Sequence, residues 1–163
     1  MTRAPLWPVA GLALCLAAPS NAQQLRLTPD DIASRADVGA GAGTSGVSGI
    51  RSTILSGDPG EPVPYTIMLT VPPNTRIAAH SHRDARSAIV FSGIWYFGYG
   101  ETARDDLMRS LPPGSFYTEP QGDPHFARTG AEGATVFISG FGPTDTIYVE
   151  TGAAPDRAKA PSP

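Results

Sequence analysis

Hydrophobic and polar residues alternate through most of the middle of the chain. The run from Tyr65 to Val71 shows the pattern, with apolar side chains at every second position and a β-branched or aromatic residue at most of them. A period of two places alternate side chains on one face of a strand. Comparable runs, most of them separated by Gly or Pro, occur at 50–55, 65–71, 76–82, 87–91, 94–99, 115–118, 125–128, 134–139 and 146–150. Short strands at this spacing predict an all-β sandwich or barrel over residues 50–150.

Helical signals are confined to two short segments. Thr28 is a good N-cap, Pro29 suits the first helical turn and acidic residues follow, so a short helix is predicted to begin there. Thr102 to Leu111 carries acidic residues early and Arg109 late, which predicts a surface helix between two strands. The 18 Gly and 17 Pro residues favour turns over long helices.

The two ends of the chain differ from its middle. Residues 1–22 have a basic start at Arg3, an apolar run from Val9 to Ala18 and small residues up to Ala22, which predicts a secretory signal cleaved after Ala22. A membrane-anchored form is the alternative. Residues 23–49 are interpreted as the short helix and a Gly-rich linker, and 151–163 as a disordered tail. The protein is therefore expected to be periplasmic or secreted, with no membrane association after cleavage.

Charge and cysteine content limit the partners and the kinds of metal site that the protein can have. The net charge is −3, which argues against nucleic acid as a partner. Cys15, the single cysteine, lies in the predicted signal. The exported chain would then have neither disulfides nor thiolate metal sites, so any metal ion must be held by nitrogen and oxygen ligands.

The candidate chemistry lies in the chain's three histidines. His80 and His82 are two residues apart on a predicted strand, so both rings point to the same face. His125 follows a Pro-x-Gly turn. Three imidazoles on neighbouring strands would occupy one side of an ion and leave the other open to water or substrate, as in a catalytic metal site.

These residues resemble the two motifs of the cupin superfamily, G-x5-H-x-H-x3-E-x6-G and G-x5-P-x-G-x2-H-x3-N. Gly114, Pro120, Gly122 and His125 match the second motif at every spacing, with Thr129 in place of its Asn. In the first, His80, His82 and Gly93 match, Asn74 replaces the leading Gly, and Arg86 replaces the Glu. Asn tolerates the left-handed turn conformation that such a Gly adopts.

The resemblance implies a single-domain jelly-roll β-barrel over residues 50–150 with one short surface helix. It also implies one divalent transition metal inside the barrel, held by His80, His82 and His125. Neutral imidazoles suit Fe(II), Cu, Zn, Mn or Ni. A three-histidine set without a carboxylate is similar to that of cupin-type dioxygenases, which favours Fe(II).

Arg86 and Glu119 are the candidate catalytic residues. Counting alternate positions back from Gly93 places Arg86 on the same face as Ala88 and Val90. Its guanidinium would there bind an anion beside the metal. The alternative is a salt bridge from Arg86 to Asp84 or Glu119 that closes the barrel mouth. Glu119 directly precedes Pro120 of the second motif and could be a metal ligand or an acid/base group. The alternative is that its carboxylate is solvated or paired with an arginine.

Three classes of function fit this sequence. The first is a dioxygenase-like, metal-dependent oxidoreductase acting on a small organic substrate inside the barrel. The others are a non-redox isomerase, lyase or hydrolase, and a non-enzymatic barrel that binds a metal, sugar or carboxylate. A homodimer is also expected, formed by pairing of the strand at 50–55 across a two-fold axis.

Overall fold

The alternating segments form one curled β-sheet in a computed structural model, which describes residues 24–39 and 44–154. The all-β prediction is confirmed. The strands, in chain order, are β1 (Asp37–Val38), β2 (Arg51–Ser56), β3 (Pro64–Val71), β4 (Arg76–Ser81), β5 (Arg86–Tyr99), β6 (Arg109–Leu111), β7 (Phe116–Glu119), β8 (His125–Phe141) and β9 (Ile147–Tyr148).

Two long strands, β5 and β8, organise the sheet. They pair with each other antiparallel from Arg86↔Gly140 to Tyr99↔His125. The end half of β8 also pairs with β3, and its first residues pair with β4, so β8 belongs to both sides of the barrel. Segments predicted as four strands, 87–91 with 94–99 and 125–128 with 134–139, are therefore two continuous strands.

A bulge explains why β5 bends without breaking. Its register with β8 shifts between Val90 and Ser92 and again between Gly93 and Trp95. Gly93 has a φ of +72°, and a Cβ there would lie 2.2 Å from the carbonyl oxygen of Gly133. Only glycine combines this conformation with so close an approach, so the strand bends and its inward pattern resumes at Trp95.

The inner face of the barrel is its hydrophobic core. Ile67, Val90 and Val136 are completely buried and come from three neighbouring strands. On the outer face, Phe91 and Phe116 are 62% and 63% exposed. The period-two pattern thus separates buried from exposed positions on the same strands, as alternation requires.

The turns support the motif assignment. Asn74, which replaces the motif glycine, has a φ of +54°. Its N–H donates to the carbonyl of Gly130 at 2.8 Å. Gly114 and Gly122 also have positive φ, at +86° and +76°. The expectation that Asn74 adopts the left-handed conformation is confirmed.

One helix prediction is confirmed and one is wrong. α1 spans Pro29–Ala33, and the Thr28 hydroxyl caps the Asp31 N–H at 3.2 Å. Thr102–Leu111 is not a surface helix: it holds a 3-10 turn at Asp105–Leu107 and then β6. Strand pairing overrides the helical signals of this segment, because β5 offers backbone partners to Arg109–Leu111, with Leu111 opposite Trp95.

Most of the residues assigned to the two ends of the chain lie outside the residues that the structure describes. The predicted signal at 1–22 is outside the described residues, as are 40–43 of the Gly-rich segment and 155–163 of the tail. Thr151–Ala153, at the start of the predicted tail, forms a 3-10 turn. Within 24–39 and 44–154, no helix has the length and apolar character to span a bilayer.

Candidate metal centre

The fold brings the three histidines together inside the barrel. His80 is on β4, His82 directly follows that strand, and His125 begins β8 opposite His80 in the ladder. Their exposed fractions are 5%, 1% and 1%. One ring nitrogen from each lies within 4.8 Å of the others. Nitrogens sharing an ion at about 2.1 Å can be at most about 4.2 Å apart, so shifts of a few tenths of an ångström suffice to close the cluster.

Backbone carbonyls fix the orientation of all three rings. The Nδ1 of His80 lies 2.7 Å from the Ala78 carbonyl and that of His125 lies 3.1 Å from the Asp123 carbonyl. The Nδ1 of His82 contacts the Asp145 carbonyl. A carbonyl only accepts, so each Nδ1 carries the proton and each Nε2 offers a lone pair. This is the arrangement that positions metal-binding imidazoles.

The imidazoles are held in their neutral form. Burial lowers the pKa of His80 to about 3 and that of His125 to about 4. Burial also lowers the pKa of His82, and the neighbouring Arg86 charge lowers it further. A neutral imidazole is the form that ligates, and His125 Nε2 is buried with no hydrogen-bond partner among the described residues. The three residues therefore fit a transition-metal ion.

Arg86 and Glu119 form a buried ion pair beside this cluster. They lie opposite each other on β5 and β7, and Arg86 Nε donates to Glu119 Oε2 at 2.5 Å. Both side chains face the interior, with exposed fractions of 6% and 4%. Burial opposes the charge of Arg86, but Glu119, Tyr65 and Asp84 outweigh it and raise its pKa. Arg86 is buried, as alternation predicts, and it pairs with Glu119 in this structure.

The ion pair also contacts the histidines. Glu119 Oε2 is 3.7 Å from His82 Nε2 and 3.9 Å from His125 Nε2. The Arg86 Nη2 group donates to His82 Nε2. That nitrogen has one lone pair, so a metal ion and Arg86 would compete for it. The structure thus brings all five candidate residues into one cluster.

A second carboxylate supports the ion pair from behind. Asp84 is buried in the β4–β5 turn and accepts a hydrogen bond from the Tyr65 hydroxyl at 2.7 Å. Burial raises the pKa of Tyr65 to about 12, so this hydroxyl stays protonated. Asp84 appears in the sequence only as one possible partner of Arg86. Its pairing with Tyr65, 19 residues earlier, depends on a contact between strands distant in the chain.

The cluster borders a small internal cavity. Its volume is about 20 Å³, which is room for one water-sized ligand. Trp95, Phe97 and Tyr117 form an aromatic wall beside His125, and the Phe97 and His125 rings are stacked with centroids 5.3 Å apart. These three aromatic residues both line the cavity and pack in the hydrophobic core.

Residues 44–47, named here the strap, cover the open end of the barrel. Thr44 and Ser45 are buried, and Ser45 lines the cavity. The Thr44 carbonyl accepts from Thr146 Oγ1 at 2.7 Å, and the Ser45 carbonyl accepts from Tyr148 Oη at 2.5 Å. The sequence assigned this Gly-rich stretch to a linker. No local pattern marks it as a covering segment, because its partners lie about 100 residues away.

Comparisons with solved structures identify the architecture. A polyketide cyclase from Streptomyces resistomycificus aligns with a TM-score of 0.62 and 18% identity, over 82% of this chain and 90% of its own. An RmlC-like cupin from Shewanella frigidimarina aligns with a TM-score of 0.54 and 12% identity, over 74% and 92%. Salicylate 1,2-dioxygenase from Pseudoaminobacter salicylatoxidans aligns with a TM-score of 0.50 and 14% identity, over 61% and 29%. No family model and no curated protein matches the sequence.

Proposed function

Because the chain has the cupin jelly-roll fold, we propose that it is a metal-binding cupin in which His80, His82 and His125 hold one divalent transition metal. The carrying observation is the orientation of the rings, with every Nδ1 turned to a backbone carbonyl and the Nε2 nitrogens turned inward. His125 Nε2 has no hydrogen-bond partner among the described residues, and His82 Nε2 accepts from the Arg86 guanidinium. A bound metal would take up these lone pairs together with that of His80.

We propose a dioxygenase-like oxidoreductase with Fe(II) as its metal. Three neutral nitrogen ligands with open positions suit Fe(II), which when bound would supply electron transfer with dioxygen. The closed barrel supports this proposal, since the strap and the aromatic wall exclude bulk water from the cluster. Salicylate 1,2-dioxygenase has the same fold.

Arg86 and Glu119 would act on the substrate side of the cluster. Release of the Arg86 guanidinium from both His82 and Glu119 would leave two parallel N–H donors, which suit a carboxylate or another oxygen anion. Glu119 then lies beside the two imidazoles with its counter-ion moved away, and would hold or move a proton there. Arg86 is thus proposed to bind the anionic part of a small organic substrate.

A non-redox reaction is the second candidate. The polyketide cyclase that aligns over most of both chains, and the DMSP lyases that align over 62% of this chain with a TM-score of 0.50, have names that imply no net oxidation. In this case a metal held by the three histidines would supply Lewis-acid polarisation of a substrate oxygen, and Arg86 would hold the substrate. A non-enzymatic barrel binding a metal, sugar or carboxylate is the third.

Metal analysis separates these candidates. The protein is purified from its native host without added metal, its metal content is measured, and oxygen uptake is followed with candidate substrates. Iron or copper with substrate-dependent oxygen uptake supports the oxidoreductase. Zinc, or a metal without oxygen uptake, supports the non-redox enzyme or the binding barrel. A metal content equal to that of a His80→Ala, His82→Ala, His125→Ala variant contradicts the proposed site.

Export and dimerisation are further proposals. A signal at residues 1–22 would place the protein in the periplasm or outside the cell, and N-terminal sequencing of the native protein tests this by a start at Gln23. In the structure, β1 pairs with Ser52 and Thr53 of β2. A dimer formed through β2 would therefore use Ile54 to Ser56 or displace β1. Light scattering that shows only monomer at tens of micromolar contradicts the dimer.

A further inference from the structure

The aromatic wall of the cavity holds two buried polar atoms that lack a close partner, the Tyr117 hydroxyl and the Trp95 indole nitrogen. Among the described residues, the polar group that acts on the Tyr117 oxygen as a donor is the Trp95 N–H itself, which leaves the Tyr117 O–H without an acceptor. Tyr117 is 6% exposed and Trp95 is 3% exposed, so bulk water does not hydrogen-bond to their polar atoms. Buried polar groups almost always have a hydrogen-bond partner, so two neighbouring groups without one call for an explanation.

Packing holds both groups where they are. Tyr117 lies two residues before Glu119 on β7 and therefore faces the same interior. Its ring packs on Phe97 with centroids 4.4 Å apart, and the small Ala88 lies opposite it on β5. Trp95 follows the β5 bulge and lies beside Tyr117 in the same cavity lining. These rings are fixed parts of the wall and do not turn to the surface.

The chemistry of the two groups defines what they would bind. An indole N–H only donates, and a phenol O–H donates readily. Arg86, a permanent cation, lines the same cavity, together with Glu119 and His125. Arg86 is paired with Glu119 in this state, so the two donors favour an oxygen acceptor, and a negatively charged oxygen is favoured once the Arg86 guanidinium turns from Glu119 toward it. The volume of about 20 Å³ limits what fits in the present state to one water-sized group.

We propose that this cavity is a subsite for an anionic oxygen, and that Tyr117, with Trp95 beside it, donates the hydrogen bond that selects it. Tyr117 is thus a specificity-determining residue. This inference rests on the proposed function for the location of the substrate, but it concerns groups that the sequence motifs do not include. The oxygen belongs either to a small free anion or to the carboxylate end of a larger molecule.

Formate and benzoate are the two probes, and Trp95 reports their binding. The chain has two tryptophans, Trp7 and Trp95, so a full-length Trp7→Phe protein fluoresces from Trp95 alone. Each anion is titrated into this protein with and without bound zinc, after zinc content has been measured separately. The same titrations are repeated in Tyr117→Phe, and in Tyr96→Phe as a matched control from the neighbouring position on β5.

The expected result is formate binding that is about tenfold weaker in Tyr117→Phe and unchanged in Tyr96→Phe. Binding of formate alone supports a free small anion, and binding of both probes supports the end of a larger substrate. Tyr117 would be a packing residue if Tyr117→Phe raised the thermal midpoint and left formate affinity within twofold. That outcome, or absence of formate binding in every titration, overturns the inference. Absence of zinc with Tyr117-dependent formate binding contradicts the metal proposal alone.

Discussion

Two segments of the chain build the site and carry opposite charges. The β4–β5 segment has His80, His82 and then Arg86, whereas the β7–β8 segment has Glu119 and then His125. The two strands of each segment pair with other strands and not with each other. The first segment keeps the cupin spacing but has a cation in the position of the motif carboxylate. The second places a carboxylate directly opposite that cation in the β5–β7 register. The negative charge has therefore not left the barrel interior but is presented from the facing strand.

This difference shows that cross-strand register, rather than spacing along one strand, sets the charge at the cluster. Gly122 N–H donates to the His82 carbonyl at 2.9 Å, which joins the β7–β8 segment to the β4–β5 segment at the cluster. The pair Arg86–Glu119 is neutral as a unit. The histidines therefore meet a buried dipole whose two ends are both within reach of His82.

Removing a histidine from the β7–β8 segment should have the largest effect. His125→Ala leaves two imidazoles, so affinity for Fe(II) or Zn(II) is expected to fall by several orders of magnitude, because water replaces a fixed ligand. Isothermal titration with each metal measures this. Arg86→Ala is the matched variant from the β4–β5 segment, and it should retain the metal or bind it more tightly. Metal retained in His125→Ala but lost in Arg86→Ala would contradict the site described here.

Exchanging the charges between the two segments should have the next largest effect. Arg86→Ala or Glu119→Ala leaves a buried charge without its partner, which is expected to cost about 3–5 kcal/mol in the free energy of unfolding. Arg86→Glu combined with Glu119→Arg restores a pair in the same register and should recover most of that loss. Urea unfolding of the metal-free variants measures it. If the double exchange is as unstable as the single variants, register alone does not set the charge pattern.

Loosening the strap should have the smallest effect. Tyr148→Phe removes one hydrogen bond to the Ser45 carbonyl, and the free energy of unfolding is expected to fall by about 1 kcal/mol. Removal of zinc by a chelator should become several-fold faster while the equilibrium affinity stays the same, because the barrel opens more often. Tyr96→Phe is the control. Equal chelation rates in both variants would show that the strap does not limit access.

Much of the fold was predictable from local pattern. Alternation located most of the strands, and the motif spacing located the histidines and the turn at Asn74. Two strands, β1 and β6, were not predicted, because each depends on a partner strand elsewhere in the chain. β6 forms where β5 offers a free edge, and β1 forms against Ser52 and Thr53, so neither short segment carries a strand signal of its own.

The candidate site also has residues whose position was predictable from local pattern and residues whose position was not. Alternation counted back from Gly93 was enough to place Arg86 inside the barrel, since all the residues counted lie on one strand. The same count failed for Glu119, because the Pro120–Gly122 turn separates it from His125 and interrupts the alternation. Tyr117 and Trp95 were visible only as aromatics, because a missing hydrogen-bond partner is a property of the packed interior.

The sequence by itself determined a β-barrel with cupin motifs, and it placed two histidines on one strand and a third after a tight turn. These are consequences of local periodicity and of turn residues, which act over a few positions. The tertiary structure alone decided that Arg86 meets Glu119, that the strap closes the barrel over the cluster, and that Tyr117 lacks a partner. Each of these depends on pairing between segments distant in sequence, where geometry is set by strand register and packing rather than by any local preference.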